Sequence, residues 1–351
     1  VNNSLTFSTG TQKHQTYFSA ATTNARNILP NSGYNRYNFT FRDVTKFLKD
    51  KLTVDLSASY ILQDNKNMIA AGKYFNPLPA LYLFPRGDDF DNVRLYQRWD
   101  ESRNLYTQAW DYGSGDMSFQ NPYWIMNKMI NQTKKRRYML SANLKYDVTD
   151  WLDVTGRVKV DNADMDITEK RYAGTDTNFA GEKGMYSIIK RNDRQIYADA
   201  IANIDLTFAG DYHLSANVGA SLKDVRMDFM GWGGDLRKIP NFFSITNIST
   251  TNYKEREDGS HIQSQSIFAN VELAWKSMLY LTVTGRNDWE SALAFSKYKS
   301  FFYPSVGLSA VVSEMVDMPE WFSFLKVRGS YSAVGSSYAA YLTKPYYDYK
   351  G

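Results

Sequence analysis

Residues 280–337 read YLTVTGRNDWESALAFSKYKSFFYPSVGLSAVVSEMVDMPEWFSFLKVRGSYSAVGSS, and apolar and polar side chains alternate in three separate segments of this stretch. In the first, Leu281, Val283 and Gly285 share one face while Tyr280, Thr282, Thr284 and Arg286 share the other, which is the period of a β-strand. Pro304, Val306, Leu308, Ala310 and Val312 repeat the pattern against Tyr303, Ser305, Gly307 and Ser309. Leu325, Val327, Gly329 and Tyr331 repeat it again against Lys326, Arg328, Ser330 and Ser332. A soluble sandwich would alternate too, so strand length and end residues decide between the two. A lipid-spanning strand needs about 9–11 tilted residues, against about 5–6 in a typical soluble strand, and the segments here are of the longer kind. Trp275, Trp289, Phe301, Phe302, Tyr303, Trp321 and Phe322 gather near segment ends, as an interfacial aromatic girdle requires. The reading is all-β, an antiparallel transmembrane β-barrel, with a soluble two-sheet binding protein as a distant alternative.

Composition agrees with a barrel. The 351 residues contain no cysteine, and mean hydropathy is only −0.49. No apolar run reaches the roughly 20 residues of a membrane helix, whereas a barrel looks polar on average because every second strand residue faces the lumen. The lack of cysteine suits an oxidising periplasm. A net charge of +4 is too small to argue for nucleic acid, and no basic, aromatic-interleaved helix occurs. The sequence shows neither a signal segment at Val1 nor a closing aromatic strand at Gly351, so it reads as an excerpt.

The same alternation extends through the chain. Strands are expected at 2–10, 15–23, 35–45, 52–64, 138–147, 152–161, 196–208, 212–228, 267–276 and 279–288, about twelve in all with the stretch quoted above. Segment 152–161 is the cleanest: Leu152, Val154, Gly156, Val158 and Val160 oppose Asp153, Thr155, Arg157, Lys159 and Asp161. Five such polar residues would be ruinous in a dry core, and a wet lumen accommodates them. Connections alternate short and long, as periplasmic turns and extracellular loops do. The longest, 65–135, is rich in Trp, Tyr, Asn, Gly and Pro and includes FNPLPALYLFPRGDDFDN and SFQNPYWIMNKMINQT. Two further loops are expected at 165–190 and 229–261. One domain over residues 1–351 is expected, with at least one more strand before Val1 if the short turns are periplasmic.

Several of these stretches agree, in order and spacing, with a known family. GRNDW, FFYPSVGLS, the pair Ser313 and Glu314, FLKVRGSYSAVG, RYMLSANLKYDVTDWLDVTGRVKVD (137–161) and NNSLTFSTGTQKHQTYFSA near the start resemble the central barrel of the SusC/RagA-like TonB-dependent transporters of Bacteroidetes outer membranes. The resemblance implies a 22-stranded plugged barrel of which this chain is a part. It further implies TonB acting through segments outside this sequence, a SusD-like surface lipoprotein as lid, and import of a bulky nutrient, a glycan or an oligopeptide. A passive porin is the first alternative and an outer-membrane barrel enzyme the second.

No catalytic constellation is legible. His14, His213 and His261 lie on three unrelated hairpins, and there is no metal-ligand spacing, nucleophile elbow or phosphate loop. No cofactor is expected. Asp88, Asp89 and Asp91 offer oxygen ligands but lack the spacing of a complete calcium loop and read as a solvated loop. Tyr96, Trp99, Tyr106, Trp110, Tyr112, Tyr123 and Trp124 in the longest loop, with Trp232 in a later one, are the candidates for contact with substrate or partner, because flat amphipathic rings give contact area at little entropy cost. The competing reading is that they form the loop's own small core, since a large ordered loop must bury something. Lys134, Lys135, Arg136 and Arg137 read as a solvated basic rim, with lipopolysaccharide phosphates as the other partner considered.

Overall fold

The computed structural model describes residues 1–70, 72–112, 120–319 and 321–343. Ser118 and Phe119 of the loop sequence quoted above lie outside the described residues, as does Gly351. Twelve strands form one antiparallel sheet: β1 (Asn2–Gly10), β2 (His14–Arg26), β3 (Gly33–Phe47), β4 (Leu52–Lys66), β7 (Met129–Asp147), β8 (Leu152–Tyr172), β9 (Gly184–Phe208), β10 (Tyr212–Leu236), β11 (Ile248–Trp275), β12 (Leu279–Glu290), β13 (Ser300–Val311) and β14 (Lys326–Ser332). Each pairs with its sequence neighbour in the sheet, so the wall is an up-and-down meander, part of a transmembrane barrel. Among the described residues, β1 and β14 each pair on one side only. A separate hairpin, β5 (Gln97–Asp100) and β6 (Leu105–Gln108), and two short helices, α1 (Pro77–Tyr82) and α2 (Pro122–Lys128), lie in the connection between β4 and β7. No described helix is long and apolar enough to cross a membrane.

Register explains how the alternating sequence becomes a wall. Ala58, Leu140, Val160 and Ile196 stand in one cross-strand row, and Leu56, Ala142, Val158, Ala198 and Leu222 in the next. These rows form the outer, lipid-facing side, on which Val158 keeps 49% of its surface exposed. Tyr138 and Tyr146 bound the belt on β7, eight residues apart, which is about 26 Å along the strand and suits the roughly 25 Å apolar band of such barrels. Tyr146, Trp151, Phe208, Tyr212 and Trp275 are exposed at the short-turn end, where the Phe208 and Tyr212 rings stack at 5.6 Å. Tyr60, Tyr138, Trp289 and Phe302 are exposed toward the other end. Of the expected girdle, Tyr303 instead shares a row with Arg286, which bonds Ser266 on the inner side, and Phe301 lies on that same face.

The inner face is polar and cross-linked. Arg157 donates from Nε to Asp199 at 2.8 Å, and Tyr197 gives its hydroxyl proton to the same carboxylate at 2.7 Å. Arg137 reaches Asp161 at 2.7 Å, Arg42 reaches Asp55 at 2.9 Å, and the Ser57 and Ser141 hydroxyls meet at 2.8 Å. Bidentate guanidinium–carboxylate pairs satisfy both partners where water alone would leave neighbouring charges crowded.

Four strands run well past the stretches whose alternation marks them. β8 has 21 residues, β9 and β10 have 25 each and β11 has 28, and β7 likewise begins at Met129 rather than 138. The expected loops 165–190 and 229–261 are largely strand, and the long connection contracts to 67–128. Beyond the belt both faces meet water, so the outer row Arg136, Asp164, Asn192 and Asp228 is as polar as the inner one. The alternation vanishes while the backbone ladder continues.

Val158 stands opposite Ala142, midway between the bounding tyrosines. Val158→Arg is expected to cost about 2–4 kcal/mol at the bilayer midplane and to reduce the amount of heat-modifiable, membrane-assembled protein. Lys159→Ala, on the wet face of the same strand, should leave assembly unchanged in the same gel assay.

Candidate functional site

The connection between β4 and β7 folds because its two Asn-Pro steps start helices. Asn76 and Asn121 each occupy an N-cap with proline just inside, the residue types a helix start favours. Asn121, 1% exposed, uses all of its side chain. Its Oδ1 accepts from the backbone N–H groups of Tyr123 (2.9 Å) and Trp124 (3.4 Å), while Nδ2 donates to the Val93 and Ala109 carbonyls at 2.9 and 3.0 Å. The cap thus ties α2 to two other parts of the loop.

Below the cap, Trp124 is wholly buried, packed with Ile125, Met129, Phe75, Tyr96 and Tyr172, and its indole N–H donates to Thr175 Oγ1 at 2.9 Å. Asn67 closes the base, donating to the Asn31 and Met126 carbonyls and accepting from the Asn131 N–H at 2.9 Å. Lys128 lies over the Tyr172 ring at 4.9 Å, and burial there pulls its ammonium below the ordinary lysine value.

The loop rests on its neighbours rather than on itself. Arg171 stacks on Phe75 at 4.6 Å and donates to the Phe179 carbonyl at 2.8 Å; burial lowers its pKa, while Glu169 at 3.1 Å opposes that effect. Phe179 meets Phe75 and Tyr74 at 5.1 and 5.4 Å. Gly174, at φ +93°, lets β6 approach so closely that a Cβ there would sit 2.6 Å from Thr107 Cα. The connection 173–183 leans in turn on 237–247, through Ala173 N–H to Asn241 Oδ1 at 2.7 Å and Lys183 to the Arg237 carbonyl at 3.0 Å. Three connections therefore make one ledge at one end of the wall.

The ledge sorts the aromatic candidates. Trp124 and Tyr96 belong to the loop core. Trp110 and Tyr112 pack edge-on at 5.1 Å with Phe84 on Tyr112 at 4.9 Å, and Tyr123 faces Phe90 at 6.5 Å. Trp99 and Tyr106 differ: they sit across from each other on β5 and β6, edge to face at 5.1 Å, yet stay 50% and 51% exposed. Trp232 lies apart, on the outer face of β10, since its neighbours Gly231 and Gly233 face Ile189 and Ser187 inside. Where those glycines leave the inner wall bare, a cavity of about 450 Å³ is lined by Arg171, Lys254 and Arg256 together with Glu169, Asp235 and Ser187. Phe75, Phe179, Arg171 and Asn121 escaped the sequence reading, although the Asn-Pro step before a Tyr-Trp pair signals the last. Asp89 caps a short helical turn by accepting from Asp91 N–H at 2.9 Å, and Asp91 pairs with Arg94 at 3.3 Å. Among the described residues no three His, Cys, Asp or Glu side chains converge as a metal site.

Asn121→Ala removes a helix cap and strips two buried carbonyls of their donor, a local loss of about 2–4 kcal/mol. Limited proteolysis should then cut within 67–128, while heat-modifiability shows the barrel still assembled.

The geometry matches known proteins in a consistent way. Over 339 residues the chain is 23% identical to the TonB-dependent receptor P26 of Formosa agariphila, covering 93% of this chain and 32% of that receptor. Its fold superposes on the RagAB peptide transporter with a TM-score of 0.71 at 16% identity, covering 94% of this chain and 36% of that one. The siderophore receptor PiuA of Acinetobacter baumannii follows with a TM-score of 0.54 at 13% identity, covering 88% and 45% respectively. The chain spans about a third of the length of the first two of these proteins. The family model for the TonB dependent receptor-like β-barrel matches residues 81–347, most of the sequence, and the chain belongs to that family.

Proposed function

We propose that the chain forms part of the wall and the extracellular ledge of an outer-membrane importer for a bulky nutrient, a glycan or an oligopeptide, driven by TonB and lidded by a SusD-like lipoprotein. The observation that carries the reading is the pairing of a wet, charged inner wall with a built ledge that presents Trp99 and Tyr106 outward. Family membership supports transport over catalysis and over passive diffusion, since the relatives are receptors and importers. RagAB, whose fold this chain shares, is a peptide transporter, which supports a peptide among the possible cargoes. The one-sided edges at β1 and β14 fit a wall completed by further strands, because an open edge in lipid leaves backbone groups unsatisfied at several kcal/mol each. Residues 65–135 then serve as the extracellular side of the substrate chamber or as the seat of the lid.

Removing 99–124 outright would also delete Asn121 and Trp124 and collapse the ledge, so paired alanines test the idea more cleanly. Trp99→Ala with Tyr106→Ala should leave the receptor assembled but weaken lipoprotein pull-down or substrate capture about tenfold or more, the scale of an aromatic hot spot. Unchanged growth on the native nutrient together with unchanged pull-down would refute a binding role for this hairpin.

A further inference from the structure

Two cavities on the lumen side of the ledge share one wall. Glu169 and Arg171 continue the inner-facing set of β8 that begins at Asp153, and both residues line both cavities. On one side of the pair, a cavity of about 140 Å³ is lined by Leu29, Met68, Phe75, Ile125, Met126 and Met129. Ile125, Met126 and Met129 are buried, while Met68 and Ile69 stay half exposed and form the rim. The lining is polar only at Asn67, Asn131 and the Glu169–Arg171 edge. Asn67 is already engaged, donating to the Asn31 and Met126 carbonyls and accepting from the Asn131 N–H. An apolar cavity of about 150 Å³ takes a benzene ring, so this one has room for a Leu or Met side chain, and its methionines let the lining adapt. A sugar ring would bury hydroxyl groups here without partners.

On the other side of the pair, the cavity of about 450 Å³ over Gly231 and Gly233 has the opposite character. Three cations, Arg171, Lys254 and Arg256, line it against two carboxylates, Glu169 and Asp235. Both carboxylates have partners: Glu169 accepts from Arg171 at 3.1 Å, and Asp235 accepts from the Gly181 N–H at 2.8 Å. Lys254 and Arg256, opposite Gly233 and Gly231, have no ion pair among the described residues. Glu255 and Glu257 alternate onto the outer face, and Asp258, one row below Arg256, accepts from the Gly259 N–H at 2.7 Å. Register sets Glu169, Ser187, Gly233 and Lys254 in one row across four strands, a span of about 14 Å at about 4.8 Å per strand. An extended chain covers that distance in about four residues.

We infer that the cargo is an oligopeptide, held beneath the ledge with an apolar side chain in the Met-lined cavity and, about four residues on, a carboxylate against Lys254 and Arg256. The inference rests on the importer reading above and narrows its cargo. A guanidinium receives both oxygens of a carboxylate at once, and Arg256 is the arginine of this cavity whose charge has no partner among the described residues. An acidic sugar could meet the same cations. The apolar cavity across the Glu169–Arg171 pair decides for a peptide, which carries apolar and acidic side chains along one chain.

Isothermal titration calorimetry on the intact protein in detergent micelles tests this with a capped Gly/Ser octapeptide carrying one Leu and, four residues on, one Asp. Replacing the peptide's Leu by Ser should weaken binding about tenfold or more, and replacing its Asp by Asn about threefold. In the protein, Met68→Asp at the rim should erase the preference for Leu and keep the preference for Asp, and Lys254→Gln with Arg256→Gln should do the reverse. Equal affinity of the unmutated protein for the three peptides, or binding of none of them, would overturn the inference even where a variant fails to assemble. Binding of a neutral or uronate-bearing oligosaccharide of similar length in place of the peptides would also overturn it. The importer reading would still stand in that case, since it fails only if loss of the protein leaves nutrient uptake unchanged.

Discussion

Inside a bilayer no water is available to a free N–H or C=O, so each strand must hand its backbone groups to a neighbour. The rest of this structure follows from that requirement. It dictates a continuous antiparallel ladder with each of the twelve strands beside its sequence neighbour in the sheet. It also forces side chains into two sets, one meeting lipid and one meeting the lumen. Once the ladder exists it is cheap to extend, and β8 to β11 carry it beyond the membrane, where it becomes the scaffold of the ledge.

The charged inner wall is the counterpart of the apolar outer one. Arg157 with Asp199, Arg137 with Asp161 and Arg42 with Asp55 tie neighbouring strands together without closing the lumen to water. The charges of that surface are largely paired, so it holds no single tight electrostatic trap. The outer wall follows the reverse logic: it is apolar until the headgroup level and charged above it.

Much of this was legible in the sequence because the lipid boundary writes itself into every second residue. Leu152 to Asp161 announced both faces of β8 before any coordinate. The same cause explains where legibility ended. Past Asp161 both faces are wet, so the alternation lapses and residues 165–172 read as loop although the ladder continues. The ledge was legible only as an aromatic excess. That Trp124 would be core while Trp99 stayed exposed depends on contacts with Thr175, Phe179 and Tyr172 from a different part of the chain, which local pattern does not encode. The Asn121 cap also escaped the sequence reading, although the Asn-Pro step is a local signal, and its effect is long-range.

The dependence of one connection on the next has a consequence for how the molecule is made. Asn31 holds the Met126 carbonyl, Trp124 holds Thr175, and Ala173 waits on Asn241. Each tie joins an earlier segment to one synthesised later. The first-made loop is therefore the last to reach its final packing, because its supports lie in β8 to β11 and the turns above them. Contacts of such sequence separation are slow to form. Until β8 and the connection after it are placed, Trp124 lacks Tyr172 and Thr175 and is exposed apolar surface, the kind that favours aggregation. The sequence order of the strands thus sets a period during biogenesis in which the wall exists and its ledge does not.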